Sequence, residues 1–461
     1  MSATRRQVLG RASALGAGIA FTGALSELFA GTAAAQNLGH TGYGPLVSDP
    51  HGLLDLPKGF RYTVLSREGD QLRSGEGRVP SNHDGMAAFA GREGRTHLVR
   101  NHENRVTAPI PVPTVSGLTY DPAGKGGCTA LTLDARQRVL SERVAIAGTA
   151  VNCAGGRTPW GTWLTCEETE DKAGTNGYTK DHGFVFEVHP TDPHRTGAVP
   201  LTAMGRFQHE AVAIDPRSGI VYETEDAFLK PFGLFYRFLP EKPLGGVGSL
   251  RAGGRLQAMR VPGVPDLSPV HEPGTRFDGI EWVDVPDPLA VSTPTRLQDY
   301  GPRGITHAQK LEGCYWGGSC VYFVSSFARS ADGSAADHYG QIWRYDPSRR
   351  RLTLVVVFGP DTDVQLPGES PDNICLAPDG GLMVCEDGNG AQHVFGVTRK
   401  GEVYPMARGR QAITPATAAG TAQEPEWGEF AGVTFSADGE TMYVNCYTPG
   451  TTFAVTGPWR G

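Results

Sequence analysis

Short apolar stretches alternate with polar turns along most of the chain. Six segments share one plan, in which a polar residue precedes an apolar strand, a tight turn, a second strand and further polar residues. These segments span residues 83–103, 153–168, 210–226, 312–326, 372–387 and 429–445. Their central turns, such as DPRSG and SADGE, use Pro, Asp and Gly as tight turns require. The pattern predicts six β-hairpins.

Further apolar stretches lie between these hairpins and read as outer strands. They span residues 183–190, 233–240, 341–347 and 393–406. A hairpin with an outer pair makes a four-stranded blade, and repeated blades make a propeller. The last unit lacks a strand, so a strand near residues 62–65 is expected to close the ring. We predict an all-β fold, a six-bladed β-propeller with long inserted loops, with a large β-sandwich as the alternative.

Residues 1–35 read as a twin-arginine signal peptide. Arg5 and Arg6 precede a stretch rich in Ala and Gly, and Ala33 to Ala35 offer small residues for cleavage. An ordinary secretory signal or a membrane anchor is the alternative, but Glu27 and the many glycines argue against an anchor. Residues 36–461 form the single predicted domain. We expect a monomer without a stable membrane span, exported by the twin-arginine machinery to the periplasm, the cell wall or the medium.

Composition adds two constraints. The 461 residues include 62 Gly and 34 Pro, which favours a β fold rich in turns, and the net charge of -7 gives no reason to expect nucleic acid as a partner. Eight cysteines are present. Disulfides could join Cys314 to Cys320 and Cys375 to Cys385 across their hairpins, and buried free thiols are the equal alternative.

The ends of the hairpins carry residues that bind metals. In an antiparallel hairpin, the residue before the first strand lies beside the residue after the second. Fifteen positions separate Cys153 from Glu168, and the other hairpins have similar spacings. Because the innermost strands of a propeller all begin at one end of the channel, six residues should meet there: Asp84, Cys153, Glu210, Glu312, Asp372 and Glu429. Glu103 and Glu168 should join them from the second strands.

Carboxylates crowded into a channel mouth repel one another, so they either take up protons or bind cations. Oxygen ligands suit calcium, whereas a thiolate among them calls for a transition metal such as iron or zinc. The alternative is that acidic residues at strand ends form turns or a solvated rim, or hold calcium only as a brace. His83, His102 and His209 stand beside the candidate ligands and are interpreted as orienting or structural groups.

Four motifs carry a family resemblance: NCAGGRTPWGTWLTCEE, GRFQHEAVAI, SPDN and GEFAGVTFSADGETMYVN. Together with the leader, they resemble the PhoX-type alkaline phosphatases, also called the DUF839 family. The resemblance runs from about Asn82 to the C-terminus. It implies a six-bladed propeller whose channel mouth carries an oxo-bridged iron pair and calcium ions, so the expected cofactors are Fe³⁺ and Ca²⁺.

The resemblance also implies roles for single residues. Cys153 is similar to the iron-binding thiolate of the family, Glu210 and Glu312 to metal ligands, and Glu168 to a calcium ligand. Asp372 and Glu429 resemble further acidic ligands.

Three departures stand out. Lys310 falls where the family has an arginine that contacts phosphate, and a point charge thus replaces a bidentate fork. Glu386 and Asp387 lie in CEDGNG, which differs from the usual family pattern. The HDGM segment around Asp84 is an approximate match.

The predicted function is hydrolysis of small phosphate monoesters, with Lys310, Glu210 and Glu312 as the catalytic set. Arg206 and Lys230 would assist if loops bring them near. No phosphate loop, Ser-His-Asp arrangement or HExxH motif supports covalent catalysis. One alternative is a calcium-dependent propeller hydrolase of another class, such as a phosphodiesterase, a phytase-like enzyme or a lactonase. The other is a propeller that serves only as a binding scaffold.

Overall fold

The computed structural model describes residues 42–50, 52–75, 77–330, 336–359, 369–388, 390–411 and 427–460. The predicted signal peptide lies outside these ranges. The described chain forms antiparallel sheets arranged as six blades, and no α-helix occurs within it. The prediction of an all-β, six-bladed propeller is confirmed.

The strands follow one another in chain order. The first are β1 (Leu46–Val47), β2 (Leu54–Pro57) and β3 (Arg61–Arg67). Blade 1 contains β4 (His83–Ala90), β5 (Thr96–His102), β6 (Gly126–Leu133) and β7 (Val139–Thr149), and blade 2 contains β8 (Asn152–Arg157), β9 (Trp163–Glu167) and β10 (Val185–Val188). Next come β11 (His209–Ile214), β12 (Val221–Glu225), β13 (Gly233–Pro240), β14 (Gly254–Arg260), β15 (Arg276–Asp278), β16 (Glu281–Asp284) and β17 (His307–Ala308). All of these except β15 belong to blade 3.

Blade 4 combines β15 with β18 (Leu311–Gly317), β19 (Cys320–Ser325), β20 (Gln341–Asp346) and β21 (Arg351–Val357). Blade 5 combines β1 and β2 with β22 (Pro371–Leu376), β23 (Leu382–Glu386), β24 (His393–Val397) and β25 (Val403–Gly409). Blade 6 contains β26 (Phe430–Phe435), β27 (Thr441–Cys446) and β28 (Thr451–Thr456). Five 3-10 turns complete the described elements: Arg92–Gly94, Pro193–Arg195, Thr202–Met204, Ser249–Ala252 and Thr295–Leu297.

The ring closes through both its inner and its outer strands. The innermost strands β4, β8, β11, β18, β22 and β26 contact one another in sequence, and β26 contacts β4. On the outside of blade 6, β3 pairs with β28, with Val64 opposite Phe453. The N-terminal strand predicted near residues 62–65 therefore closes the propeller as expected.

Apolar faces of neighbouring blades pack together between the sheets. Between blades 3 and 4, Phe235 stacks on Phe323 with ring centroids 4.2 Å apart, and Trp343 is fully buried in the same cluster. Burying a side chain of this size stabilises the fold by about 1.5–3 kcal/mol. Blade 2 differs from the prediction, because the stretch expected to give two outer strands gives only β10, with Phe186 bridged to Pro200.

A buried polar network joins blades 1 and 6. Arg100 donates to Thr452 Oγ1 of β28 at 2.7 Å and to Glu142 Oε1 of β7 at 2.8 Å. Ser66 of β3 donates to the same Glu142 oxygen at 2.7 Å. The closing strands are thus tied to blade 1 by a charged pair whose members are almost fully buried.

None of the eight cysteines forms a disulfide. Cys314 lies opposite Phe323, and Cys375 lies opposite Met383, so neither hairpin brings its two cysteines face to face. The suggestion of two hairpin disulfides is therefore wrong, and the alternative of free thiols, seven of them buried, is correct. None of the described helices has the length and apolar character needed to cross a membrane.

Candidate metal centre

Every blade breaks its strand register near the start of its innermost strand. Between the first two strands of blades 1 to 5, the inner strand carries an extra residue directly after its first residue, and in blade 6 the extra residue comes one position later. Such β-bulges redirect side chains and bend the strand. We call the second residue of each innermost strand the donor position. Its occupants, from blade 1 to blade 6, are Asp84, Cys153, Glu210, Glu312, Asp372 and Ala431.

The donor positions converge on one buried cluster. Three overlapping groups have ligand atoms within 4.8 Å of one another: Asp84 with Glu103 and Cys153, Cys153 with Glu168 and Glu210, and Glu210 with Glu312 and Asp372. Cys153 Sγ donates to Glu210 Oε1 at 3.0 Å. Seven of the eight predicted metal ligands therefore lie together, and all seven are buried.

Small residues let the blades approach closely enough for this convergence. The residue after the donor position is Gly85 in blade 1 and Ala154 in blade 2. A Cβ atom at Gly85 would lie only 2.6 Å from Ala154 Cα, so a larger residue there would push the two blades apart.

Blade 6 departs from the expected arrangement. Ala431 occupies its donor position, and Glu429 lies two residues earlier, directly before β26. The expectation that Glu429 is equivalent to the other five donors is wrong, because a similar spacing to Asn445 does not show where the strand begins. Glu429 nevertheless stands close to the cluster, since its charge contributes to the raised pKa of Asp84. Blade 6 therefore supplies its carboxylate from a different backbone position.

The adjacent residues Glu167 and Glu168, at the end of β9, have different roles. Successive residues of a strand point to opposite faces. Glu168 belongs to the cluster, whereas the Glu167 carboxylate accepts hydrogen bonds from the backbone N–H groups of Ala150, Gly183 and Phe184 and contacts His182 Nδ1 at 2.6 Å. Glu167 thus anchors the loop that leads to the next strand.

Glu386 of blade 5 has the same anchoring role. Its carboxylate accepts from the backbone N–H of Glu369 and His393 and contacts His393 Nδ1 at 2.8 Å. The sequence analysis assigned no role to Glu386 or to Asp387. Asp387 follows the strand in the position that corresponds to Glu168.

Negative charges crowd the cluster and affect the titration of its members. Burial, followed by the charges of Glu103, Asp372, Glu210 and Glu429, raises the pKa of Asp84 well above its usual range. Asp84 Oδ1 is buried and has no hydrogen-bond partner in the described part of the chain. Metal ions would neutralise this charge and supply the missing partner.

Burial and neighbouring negative charges also act on the Cys153 thiol. Burial, followed by the charges of Asp84, Glu210, Glu168 and Glu103, raises its pKa well above the usual value. Metals bind the thiolate rather than the thiol, and a bound metal stabilises it. The donor set, one sulfur among carboxylate oxygens, fits a transition metal beside calcium.

Two residues of the site were missed by the sequence analysis. Asp226 and Tyr447 follow the second strands of blades 3 and 6, in the position that Glu103 and Glu168 occupy in blades 1 and 2. Lys310 Nζ contacts Glu312 Oε1 and lies 3.9 Å from Asp226 Oδ2. The sequence held enough information to predict Asp226 and Tyr447. Both correspond to Glu103 and Glu168 when the hairpins are aligned by the residue that follows the second strand, instead of by counting positions between the two ends of each hairpin.

The histidines beside the ligands are held by other groups. His102 contacts Ser81 O and Thr129 Oγ1, both at 2.9 Å. His83 contacts Pro80 O and Thr452 Oγ1, and His209 contacts Gly205 O. None belongs to the grouped ligand atoms of the described residues.

Arg206 and Lys230 also form their contacts with other groups. The Arg206 guanidinium donates to the backbone oxygens of Leu289, Glu170 and Ala290. Lys230 pairs with Asp337 at 2.9 Å, and more than half of its side chain is exposed. The suggestion that these two cations reach the site is wrong, because both are held by surface loops.

Comparison with known proteins agrees with this architecture. A family model described as alkaline phosphatase PhoX matches residues 41–143 and 136–450. The chain belongs to the PhoX family. A search of curated proteins gave no match. Family membership supports a phosphatase, a hydrolase of phosphate esters.

Solved structures show the PhoX fold. The chain resembles Pseudomonas fluorescens PhoX, solved in complex with vanadate, a transition state analogue, with 18% identity and a TM-score of 0.63 over 90% of this chain and 97% of that chain. A gluconolactonase from Xanthomonas campestris, XC5397, matches with 12% identity and a TM-score of 0.43 over 91% of this chain and 99% of that one.

Proposed function

We propose that this PhoX-family protein is an exported alkaline phosphatase that hydrolyses phosphate monoesters with Fe³⁺ and Ca²⁺ bound at the channel mouth. The observation that carries the proposal is the convergence of Cys153 with six buried carboxylates from five blades. Uncompensated charges at this density are too costly to bury, so cations are the natural partners. The thiol favours iron, and the carboxylates favour calcium.

The bound metals would supply Lewis acidity, which neutralises phosphoryl charge and lowers the pKa of water. The protein supplies position and shielding. Lys310 would hold a non-bridging phosphoryl oxygen, and Glu312 and Asp226 orient its ammonium group. Glu210 lies at the centre of the site, because it belongs to two of the three ligand groups, and would fix the geometry of both metal types.

The test compares two buried cysteines. Natively exported wild-type protein, Cys153→Ala and Cys375→Ala are assayed for bound iron and calcium and for p-nitrophenyl phosphate hydrolysis. Cys375 packs in the apolar core between blades 5 and 6 and serves as the matched control. We expect Cys153→Ala to lose iron and hydrolysis together, while Cys375→Ala keeps both.

The same experiment separates the other functions. Full activity of Cys153→Ala with calcium alone would favour a calcium-dependent propeller hydrolase of another class. Absence of phosphate ester cleavage at any pH, in wild-type protein with its metals, would favour a binding scaffold. Export is tested separately by replacing Arg5 and Arg6 with lysine, which should leave the protein in the cytoplasm.

A further inference from the structure

The six blades present different groups at one equivalent position. We call the residue directly after the second strand of each blade the trailing position. Its occupants, from blade 1 to blade 6, are Glu103, Glu168, Asp226, Ser326, Asp387 and Tyr447. In every blade the backbone N–H of this residue donates to the carbonyl directly before the innermost strand, at 2.8–3.1 Å. Four blades thus present a carboxylate to the channel mouth, and blade 6 presents a phenol.

The Tyr447 side chain lies at the junction of blades 6 and 1. Its backbone N–H donates to Glu429 O at 3.0 Å, and its hydroxyl reaches Glu103 O at 3.4 Å. That second contact is long for an O–H donor and therefore weak. Its charged neighbours are Glu103, Glu429, Asp84 and the cation Arg105. The hydroxyl consequently borders the metal cluster without being locked into a strong hydrogen bond.

A phosphate ester in this site would need hydrogen-bond donors. Ionised carboxylates only accept hydrogen bonds, whereas a phenol donates one at neutral pH. Lys310 offers a donor from blade 4, and in a six-membered ring blade 4 lies opposite blade 1, which the Tyr447 hydroxyl contacts. The two groups therefore approach the channel mouth from opposite sides.

We propose that the Tyr447 hydroxyl donates a hydrogen bond to a non-bridging oxygen of the phosphate ester bound over the cluster. The proposal rests on the proposed phosphatase function and adds a catalytic residue to it. Because phosphoryl transfer develops charge on these oxygens, a donor aimed at them strengthens in the transition state.

The experiment removes one oxygen atom. Tyr447→Phe is compared with Tyr443→Phe, in the strand that Tyr447 directly follows, whose hydroxyl donates to Gln137 Oε1 at 2.7 Å, away from the cluster. Metal-loaded protein is assayed for p-nitrophenyl phosphate hydrolysis, for calorimetric binding of inorganic phosphate and for iron and calcium content. We expect Tyr447→Phe to lower kcat/KM about tenfold to a hundredfold and to weaken phosphate binding. Its metal content should stay at the wild-type value, and Tyr443→Phe should match wild-type protein throughout.

Two results would overturn the role of Tyr447. One is a Tyr447→Phe protein with wild-type kcat/KM and phosphate affinity. The other is loss of iron or calcium in that variant, which would make the hydroxyl a part of the metal centre. If wild-type protein binds phosphate but cleaves no ester, the phosphatase function fails, and the difference in phosphate affinity between the two variants still decides whether Tyr447 contacts phosphate. Wild-type protein that binds no phosphate would overturn both proposals.

Discussion

Lys310 and Glu429 occupy the same position in two different blades. Each directly precedes an innermost strand, and each backbone carbonyl accepts the N–H of a trailing residue, Ser326 in one case and Tyr447 in the other. One blade therefore brings a cation to the rim of the cluster, and another brings an anion. The backbone arrangement is the same in each blade, and the chemical difference between blades comes from the side chain at each equivalent position.

Replacing Lys310 with Met should weaken substrate binding. The variant removes the ammonium group between Glu312 and Asp226 and leaves two buried carboxylates to repel a phosphate dianion. We expect KM for p-nitrophenyl phosphate to rise at least about tenfold, measured by steady-state kinetics. Lys230→Met, at an exposed pair, is the control and should keep its KM. Equal KM values in the two variants would contradict this role.

Replacing Arg296 with Gln should loosen the rim between blades 2 and 3. Its guanidinium contacts Glu170 at 2.9 Å and the buried Glu225 at 3.0 Å. These glutamates are close in sequence to Glu168 and Asp226. Leaving Glu225 buried without its partner should cost about 3–5 kcal/mol, measured by urea unfolding, and should speed metal loss to a chelator.

The control for this variant is Arg351→Gln. Arg351 pairs with Asp278 on the exposed side of blade 4, and such surface pairs contribute at most about 1 kcal/mol. A destabilisation of Arg296→Gln no larger than that of the control would show that the contacts of Arg296 with Glu170 and Glu225 do not stabilise the fold.

Replacing Glu142 with Gln should weaken ring closure. The change removes the negative charge that compensates the fully buried Arg100 at the junction of blades 1 and 6. We expect the free energy of unfolding to fall by about 3–5 kcal/mol. Glu281→Gln, at a partly exposed pair with Arg260, should change it by less than about 1 kcal/mol. Similar losses in both variants would be the opposite result.

His182 should make stability depend on pH. Burial lowers its pKa, but contacts with Glu167 and Asp121 outweigh burial and raise the pKa above the ordinary value. The stabilisation is therefore complete below about pH 6.5, the pKa of an unfolded histidine, and is lost as the pH rises through the folded pKa. The stability difference between wild-type protein and His182→Gln should fall above pH 6.5, by at most about 1.4 kcal/mol per pH unit.

A matched histidine provides the control for that experiment. Burial lowers the pKa of His338 to about 3, so its side chain stays neutral from pH 6 to pH 9. Because an unfolded histidine takes up a proton below about pH 6.5, the stability difference between wild-type protein and His338→Gln should rise by less than about 1 kcal/mol from pH 6 to about pH 7.5 and then stay constant up to pH 9. A difference for His182→Gln that also rises or stays constant over this range, instead of falling, would contradict a charged imidazole at His182.

Local patterns were enough to predict the hairpins and the ring. Alternating apolar residues and Pro/Asp/Gly turns fix short strands, and the missing strand of the last unit required a partner such as β3. The donors of five blades were predicted because each stands at the start of an apolar run, at a similar distance from the polar end of its hairpin. The structure places each of them one residue into its strand. The clustering of Cys153 with Glu210 is therefore readable from the repeat.

The remaining features of the site could not be predicted, because they depend on contacts between residues that are distant in the sequence. In blade 6, Ala431 occupies the donor position and pairs with Asn445, and the bulge follows one residue later than in the other blades. A one-residue shift is invisible to a count of positions between strand ends. Arg206 was a poor prediction because two of its three partners, Leu289 O and Ala290 O, lie on a loop more than 80 residues away. The choice between Glu386 and Asp387 depended on which face of the strand each side chain takes, and His393 decides it only after folding.

The pairing of β3 with β28 has a consequence for synthesis of the chain. β3 ends at Arg67, and its partner begins at Thr451, so nearly the whole polypeptide must emerge before the two can meet. At a synthesis rate of roughly 5–20 residues per second, the backbone edge of β3 that pairs with β28 stays without its partner for roughly 20–80 s. Glu429 and Tyr447 arrive only with that last blade. The cluster of candidate metal ligands is therefore one of the final parts of the molecule to be completed, during or after release from the ribosome.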